Sequence, residues 1–256
     1  MRRLRRATLV PLIAVIVIAC NAERAAATEA IDRISRTVPL PTGLPIRVDA
    51  TVADVTIVGS SRSDVSVEIV RRAPTPADFA RYPAVVDTRP DGLHIGAVQV
   101  EDGRDGKLKS EIVVHAPADA VFQTVRVFEG RVRVTALTTA CDVDVRRGAI
   151  EATALAGRVR LESGIGSVDV RDATLTPGGM LRLRVFNGPL RVRFARAPAN
   201  ARILALTFNG VITSDIPLTM KDAFGPRFGE TTIGAGDPVM SLDAVKGDIA
   251  ITVEKR

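Results

Sequence analysis

Apolar and polar residues alternate along most of this chain, in short runs that begin on glycine. Gly130-Arg131-Val132-Arg133-Val134, Gly157-Arg158-Val159-Arg160-Leu161, Gly166-Ser167-Val168-Asp169-Val170, Gly188-Pro189-Leu190-Arg191-Val192 and Gly247-Asp248-Ile249-Ala250-Ile251 repeat one motif. Gly148-Ala149-Ile150 and Gly210-Val211-Ile212 are shorter forms of it. A period of two sends successive side chains to opposite faces, so each run predicts a strand with one face in a core and one in water. Glycine at the head of each run permits a positive φ, as a tight corner needs. Gly130, Gly148, Gly166, Gly188 and Gly210 are spaced by 18, 18, 22 and 22 residues, with Gly157 and Gly179 near the midpoints of two intervals. The repeating unit is therefore two short strands with a turn at each end.

A strand of four or five residues cannot bury its apolar face alone, whereas stacked units of similar length build one continuous core. The pattern predicts an all-β fold, a β-solenoid-like roll of two sheets; an antiparallel β-meander sandwich is the alternative. Strands near 131–135, 149–153, 167–171, 189–193 and 211–214 are expected to form one sheet. Strands near 141–145, 158–162, 181–185 and 202–207 are expected to form the other. Pairing is expected to be parallel, with Val132, Ile150, Val168, Leu190 and Ile212 stacked inside. Phe128-Glu129-Gly130, Phe186-Asn187-Gly188 and Phe208-Asn209-Gly210 mark three turns; their phenylalanines are expected to pack inward at the corners.

The N-terminal half alternates less regularly. Leu44 to Ala50, Val52 to Val58 and Val65 to Val70 read as strands. Arg71 to Pro90 carries Pro74, Pro76, Pro83 and Pro90 and reads as a loop with one helical turn at Ala77 to Tyr82. Leu93 to Val100 and Leu108 to His115 read as a hairpin around Asp102-Gly103-Arg104-Asp105-Gly106. Regular repeats run over 121–256, inside a single domain at 28–256.

Composition agrees with strands. Of the 256 residues 46% are hydrophobic but only 4% aromatic, with one Tyr and no Trp, so the core rests on Val, Ile, Leu and Ala. The net charge of +6 is largely a property of the N-terminus. Arg2, Arg3, Arg5 and Arg6 stand there, and from Cys20 onward 31 basic residues face 29 acidic ones. A domain so nearly balanced argues against nucleic acid as a partner.

Residues 1–27 have the organisation of an export leader: the arginines, then an apolar stretch from Ala7 to Ala19 that is short for a bilayer span. Two endings compete. Val17-Ile18-Ala19-Cys20 has the form of a lipobox, in which Cys20 is lipidated and becomes the first residue. Ala25-Ala26-Ala27 offers cleavage before Thr28; an uncleaved anchor is the third reading. An exported protein, periplasmic or at the cell surface and held to the membrane through a lipidated Cys20, is the expectation. The only other cysteine, Cys141, lies in phase with Val143 and Val145 and reads as a small core residue.

The glycine ladder, Val114-His115-Ala116-Pro117 before it, and Asn209-Gly210-Val211-Ile212 running to Ser214-Asp215-Ile216-Pro217 resemble a bacterial adhesin-like family of β-strand repeats of unknown function. The chain's end, Ile233-Gly234-Ala235-Gly236, Met240-Ser241-Leu242 and Lys246-Gly247-Asp248-Ile249-Ala250-Ile251, carries the most specific part of the likeness. The resemblance spans about residues 40–256, and the proline-rich insert at Arg71 to Pro90 departs from it. It implies a right-handed β-helix or two-sheet roll at the cell envelope.

Candidate chemistry is sparse. His94 and His115 sit singly in strand-like runs, without metal-ligand spacing, and no nucleophile elbow, HExxH or P-loop occurs. The loop at Glu101 to Gly106 lacks the acids of a calcium hand, and Gly164 to Asp169 is an unrepeated, offset version of a calcium nonapeptide. No catalytic residue, cofactor or metal is assigned. Arg131, Arg133, Arg158, Arg160, Arg182, Arg184, Arg191 and Arg193 alternate with apolar residues, and stacking would gather some of them into basic stripes. Such a face suits an anionic envelope glycan, lipid or protein, with Asp142, Asp144, Glu151, Glu162 and Asp169 as competing partners. The expectation is a noncatalytic envelope scaffold. The alternative is a polysaccharide-active β-helix enzyme using carboxylates gathered in a groove.

Overall fold

A computed structural model describes residues 29–98, 108–221 and 225–254. Cys20, the expected leader, the candidate cleavage sites and the 101–106 loop lie outside these residues. Among the described residues eighteen strands join one large mixed sheet, and the only helix is the single turn α1 (Ala77–Arg81), inside the proline-rich insert.

Long strands organise the fold. β2 (Ile46–Ser60), β9 (Cys141–Thr153) and β10 (Arg158–Arg171) are each more than twice the length of the strand expected there. β9 and β10 pair in parallel from Cys141↔Val159 to Thr153↔Arg171, straight through Gly148↔Gly166. The two expected sheets are thus one: the ladder continues through the glycine corner. Shorter strands come in pairs that divide this path. β7 (Phe122–Glu129) and β8 (Val132–Thr135) lie along one side of β9, and β11 (Met180–Asn187) and β12 (Leu190–Phe194) along the far side of β10.

Glycine is required at the corner for space as well as for φ. Gly148 and Gly166 have φ of +143° and +151°. A Cβ on Gly166 would fall on the carbonyl of Gly148, and one on Gly148 on the carbonyl of Gly130. Buried hydroxyls seal the same corner from inside: Ser163 Oγ donates to Gly148 O at 2.9 Å, and Thr207 Oγ1 to Gly247 O at 2.8 Å.

Most pairs are parallel, so the meander does not describe the molecule. Antiparallel pairs lie toward the two ends of the ladder. At one end they join β1 (Ala30–Pro39) to β3 (Asp64–Ala73), β3 to β6 (Lys109–Pro117), and β4 (Val85–Arg89) to β5 (Gly92–Ala97). At the other they join β13 (Ala201–Asn209) to β16 (Arg227–Ile233), and β16 to β15 (Thr219–Lys221). The edge strand β1 carries Asp32, Arg33, Arg36 and Pro39, which discourage further strand addition.

Chain order and spatial order diverge twice. β17 (Val239–Lys246) and β18 (Ile249–Val253) insert between β11/β12 and β13/β14, where β14 spans Ile212–Ser214. The expected stack therefore runs Val132, Ile150, Val168, Leu190, Ile249, Ile212, with Ile249 parting the last two. Likewise β2 lies between β5/β6 and β7/β8, and puts Val55 beside Val132. The N-terminal half is thus part of the array. β5 and β6 do not form the expected hairpin; each pairs in parallel with its own half of β2.

The insert also contains a strand, β4, where a loop was expected. Arg71, 5% exposed, fastens the region: its Nε donates to Asp32 Oδ2 at 2.9 Å and its guanidinium lies 5.1 Å from the Phe79 ring centre. It also donates to the Tyr82 carbonyl.

Cys141 occupies the core column between Phe122 and Val159, as its phase predicts. Burial, reinforced by Asp142 beside it, pushes its thiol up to about 12. Iodoacetamide should leave Cys141 of the folded protein unmodified at both pH 7 and pH 9, whereas the unfolded chain reacts faster as pH rises. Peptide mapping would score Cys141 apart from Cys20; rapid alkylation of the native protein would contradict its burial.

Candidate functional site

The eight expected arginines fall into two sets separated by the glycine corner. Arg158, Arg160, Arg182 and Arg184 precede it, on β10 and β11; Arg133, Arg191 and Arg193 follow it, on β8 and β12, with Arg131 just before β8. They do not form one stripe. Alternation about inward Val159, Leu161, Leu183 and Val192 keeps the strand arginines on the outer surface.

Carboxylates engage part of each set. Arg160 lies 3.2 Å from Asp142 and 2.7 Å from Glu162, and Arg184 lies 3.8 Å from Glu162. Glu151 receives Arg131 at 3.3 Å and Arg133 at 3.1 Å. Asp169, the acid of the calcium-like stretch, accepts from Arg171 at 3.1 Å. Arg158, Arg182, Arg191 and Arg193 hold no ion pair among the described residues. Register brings like charges side by side: Arg182 is opposite Arg160, and Arg193 opposite Arg171. Directly opposed like charges on neighbouring strands repel.

His94 Nε2 is 3.0 Å from Asp91 Oδ1, and Arg47 lies 2.7 Å from the other oxygen of that carboxylate. The hydrogen bond to His94, helped by the charges of His94 and Arg47, holds Asp91 below the usual carboxylate range. Among the described residues no three His, Cys, Asp or Glu side chains are grouped to hold a metal ion.

Contrary to expectation, Phe128, Phe186 and Phe208 do not pack inward; they are 43%, 55% and 53% exposed. Parity explains it: Val127, Val185 and Thr207 point inward, so the next residue points out. That signal was present in the alternation of each strand. Register places the phenylalanines in one column along the corner. Phe186 and Phe208 lie two strands apart across β17, about 10 Å, and Phe128 three strands from Phe186, about 14 Å. Exposed Ile165 adjoins them next to Asn187. Arg147 caps Phe128, its guanidinium 5.7 Å from the ring centre. Beside Phe128 an open hollow of about 370 Å³ lies between Arg126, Arg146, Asp49 and Asp144.

No protein-family model and no curated protein sequence matches this chain. Its fold is shared with a solved structure of a candidate cell adhesion protein from Clostridium sporogenes: the TM-score is 0.50 at 11% identity, over 88% of this chain and 100% of that one. A candidate adhesin from Bacteroides fragilis aligns over 87% of this chain and 97% of its own, at 12% identity and a TM-score of 0.41. The first of these likenesses agrees with the family resemblance seen in the glycine ladder. At such identities they concern the fold alone.

Proposed function

We propose that this chain is an exported, noncatalytic scaffold of the cell envelope that binds an anionic glycan, lipid or acidic protein through its outer arginines. In this reading residues 1–27 are the leader, Cys20 carries the lipid that holds the protein to the membrane, and residues 28–256 form one domain. Its parallel strands wind as a right-handed solenoid. The adhesin-like fold relative supports the surface address, and the parallel registers support the winding.

The observation that carries the binding reading is two pairs of opposed arginines, Arg171 against Arg193 and Arg160 against Arg182, in each of which one member, Arg193 or Arg182, holds no ion pair among the described residues. Charges so placed are relieved by a bound anion, which bridges adjacent strands with charge-assisted hydrogen bonds. Arg191 and Arg193 are exposed and hold no ion pair among the described residues, so their loss should barely affect folding. Arg191→Ala with Arg193→Ala should leave the melting temperature nearly unchanged and reduce retention on phosphocellulose, an effect that added salt mimics by screening. Unchanged retention, or unfolding of the double variant, would overturn the assignment of these residues to binding.

A polysaccharide-active enzyme has less support. Asp142, Asp144 and Glu151 lie on outer strand faces, and Asp142 and Glu151 are engaged by arginines. Catalysis would need carboxylates converging across a groove.

A further inference from the structure

We infer that the phenylalanine corner is a membrane-docking ridge that inserts into the surface of an anionic bilayer. The inference rests on the envelope reading only for the availability of such a membrane.

Single exposed apolar residues are ordinary, but apolar residues recurring at one register position are not. Phe128, Phe186 and Phe208 share one column, and Ile165 lies in the column beside it. All four are at least 43% exposed. Nothing in the fold requires an aromatic ring there: at the same corner position β9 carries Arg146 and β10 carries Gly164. The phenylalanines are the costlier choice for a surface in contact with water alone.

Charge selects the occupant. Among the described residues, the two columns that contain the phenylalanines and Ile165 also contain Arg146, Arg147 and Lys246, against the single acid Glu129. The excess of cations is confined to these two columns: the outward column two residues before the phenylalanines mixes Arg126 and Arg184 with Asp49, Asp144, Glu162 and Asp243. A row of aromatic rings with Arg146 interleaved and Arg147 and Lys246 in the adjoining column matches a bilayer interface. Rings enter the boundary between headgroups and acyl chains while the cations meet lipid phosphates. A second copy of this chain would set one basic ridge against another, which repels. An acidic protein would answer the charges and leave the row of rings without a lipid-like partner.

The chain contains no tryptophan, so Phe186→Trp installs a unique fluorophore on the ridge with little change of shape. Thr174→Trp is the control. Thr174 lies in the turn before Met180, at the opposite end of β11 from Phe186, about 20 Å away. The vesicles are equal parts phosphatidylglycerol and phosphatidylcholine. On them the indole of the Phe186→Trp variant should shift to the blue and be quenched by brominated acyl chains. The indole of the Thr174→Trp variant should do neither. Vesicles of phosphatidylcholine alone should bind much more weakly. Phe186→Ser with Phe208→Ser should weaken vesicle binding by at least about tenfold, given the apolar area withdrawn from the interface, with phosphocellulose retention unchanged. Failure of this proposal is distinct from failure of the function above. If the serine variant binds vesicles like wild type, or lipid does not quench the Phe186→Trp variant, the ridge does not dock even if arginine-dependent retention persists. Concentration-dependent self-association that the serine pair abolishes, without lipid quenching, would assign the ridge to a second copy and overturn the proposal.

Discussion

Gly166→Ala should destabilise the protein by at least about 3 kcal/mol and lower its soluble yield, because backbone strain and backbone overlap add. Gly166 has φ +151°, and its missing Cβ would occupy the place of the Gly148 carbonyl. That carbonyl cannot rotate away like a side chain. It belongs to a glycine inside a continuous parallel ladder and also accepts the Ser163 hydroxyl. Relief requires neighbouring strands to separate, which disturbs the buried columns on both sides. Gly178→Ala is the control: its φ is +70°, but nothing lies within 4 Å of its Cβ position. It should cost only the strain of a left-handed residue, about 1 kcal/mol. Urea unfolding of both variants measures the difference, and equal midpoints would mean that corner contact is not what demands glycine at 166.

Phe122→Ala should cost about 3–5 kcal/mol, the usual range for emptying a phenylalanine-sized volume in a core. Phe122 is fully buried, in register with Ile46 on one side and Cys141 on the other. The surrounding strands are held by ladders on both edges and cannot collapse into the space. Phe186→Ala, at the corner, should change stability by less than about 0.5 kcal/mol. Denaturation of the two variants side by side tests whether the corner ring is free of packing duties, as the ridge proposal needs. A loss of several kcal/mol at Phe186 would make that ring part of the core.

Phe122 and Phe186 also mark how far local reading reaches. Inward Leu181, Leu183 and Val185 put Phe186 outside by simple parity. The expectation that it packs inward followed general hydrophobicity instead, and the strand's own period was the better guide. The arginines show the opposite limit. Their outward direction was legible residue by residue, but their grouping was not, because it depends on where the path bends and on which strands become neighbours. Of the corner ridge, the individual rings were visible in the sequence; the column they form with Arg146, Arg147 and Lys246 was not.

What the sequence alone determined is the β class, the direction of nearly every side chain in the repeats, the glycine corners and the burial of Cys141. Each follows from a period of two and from the backbone freedom of glycine, both local properties. The tertiary structure alone decided strand adjacency. Ile249 enters between Leu190 and Ile212, β2 inserts beside Val132, and β5 and β6 lie along β2 instead of forming a hairpin. Alternating valines and isoleucines are nearly interchangeable partners, so the pattern specifies a face and leaves the neighbour open. The neighbour is set by assembling the whole ladder, with antiparallel strands toward its two ends and β17 and β18 brought back from later in the chain into its interior.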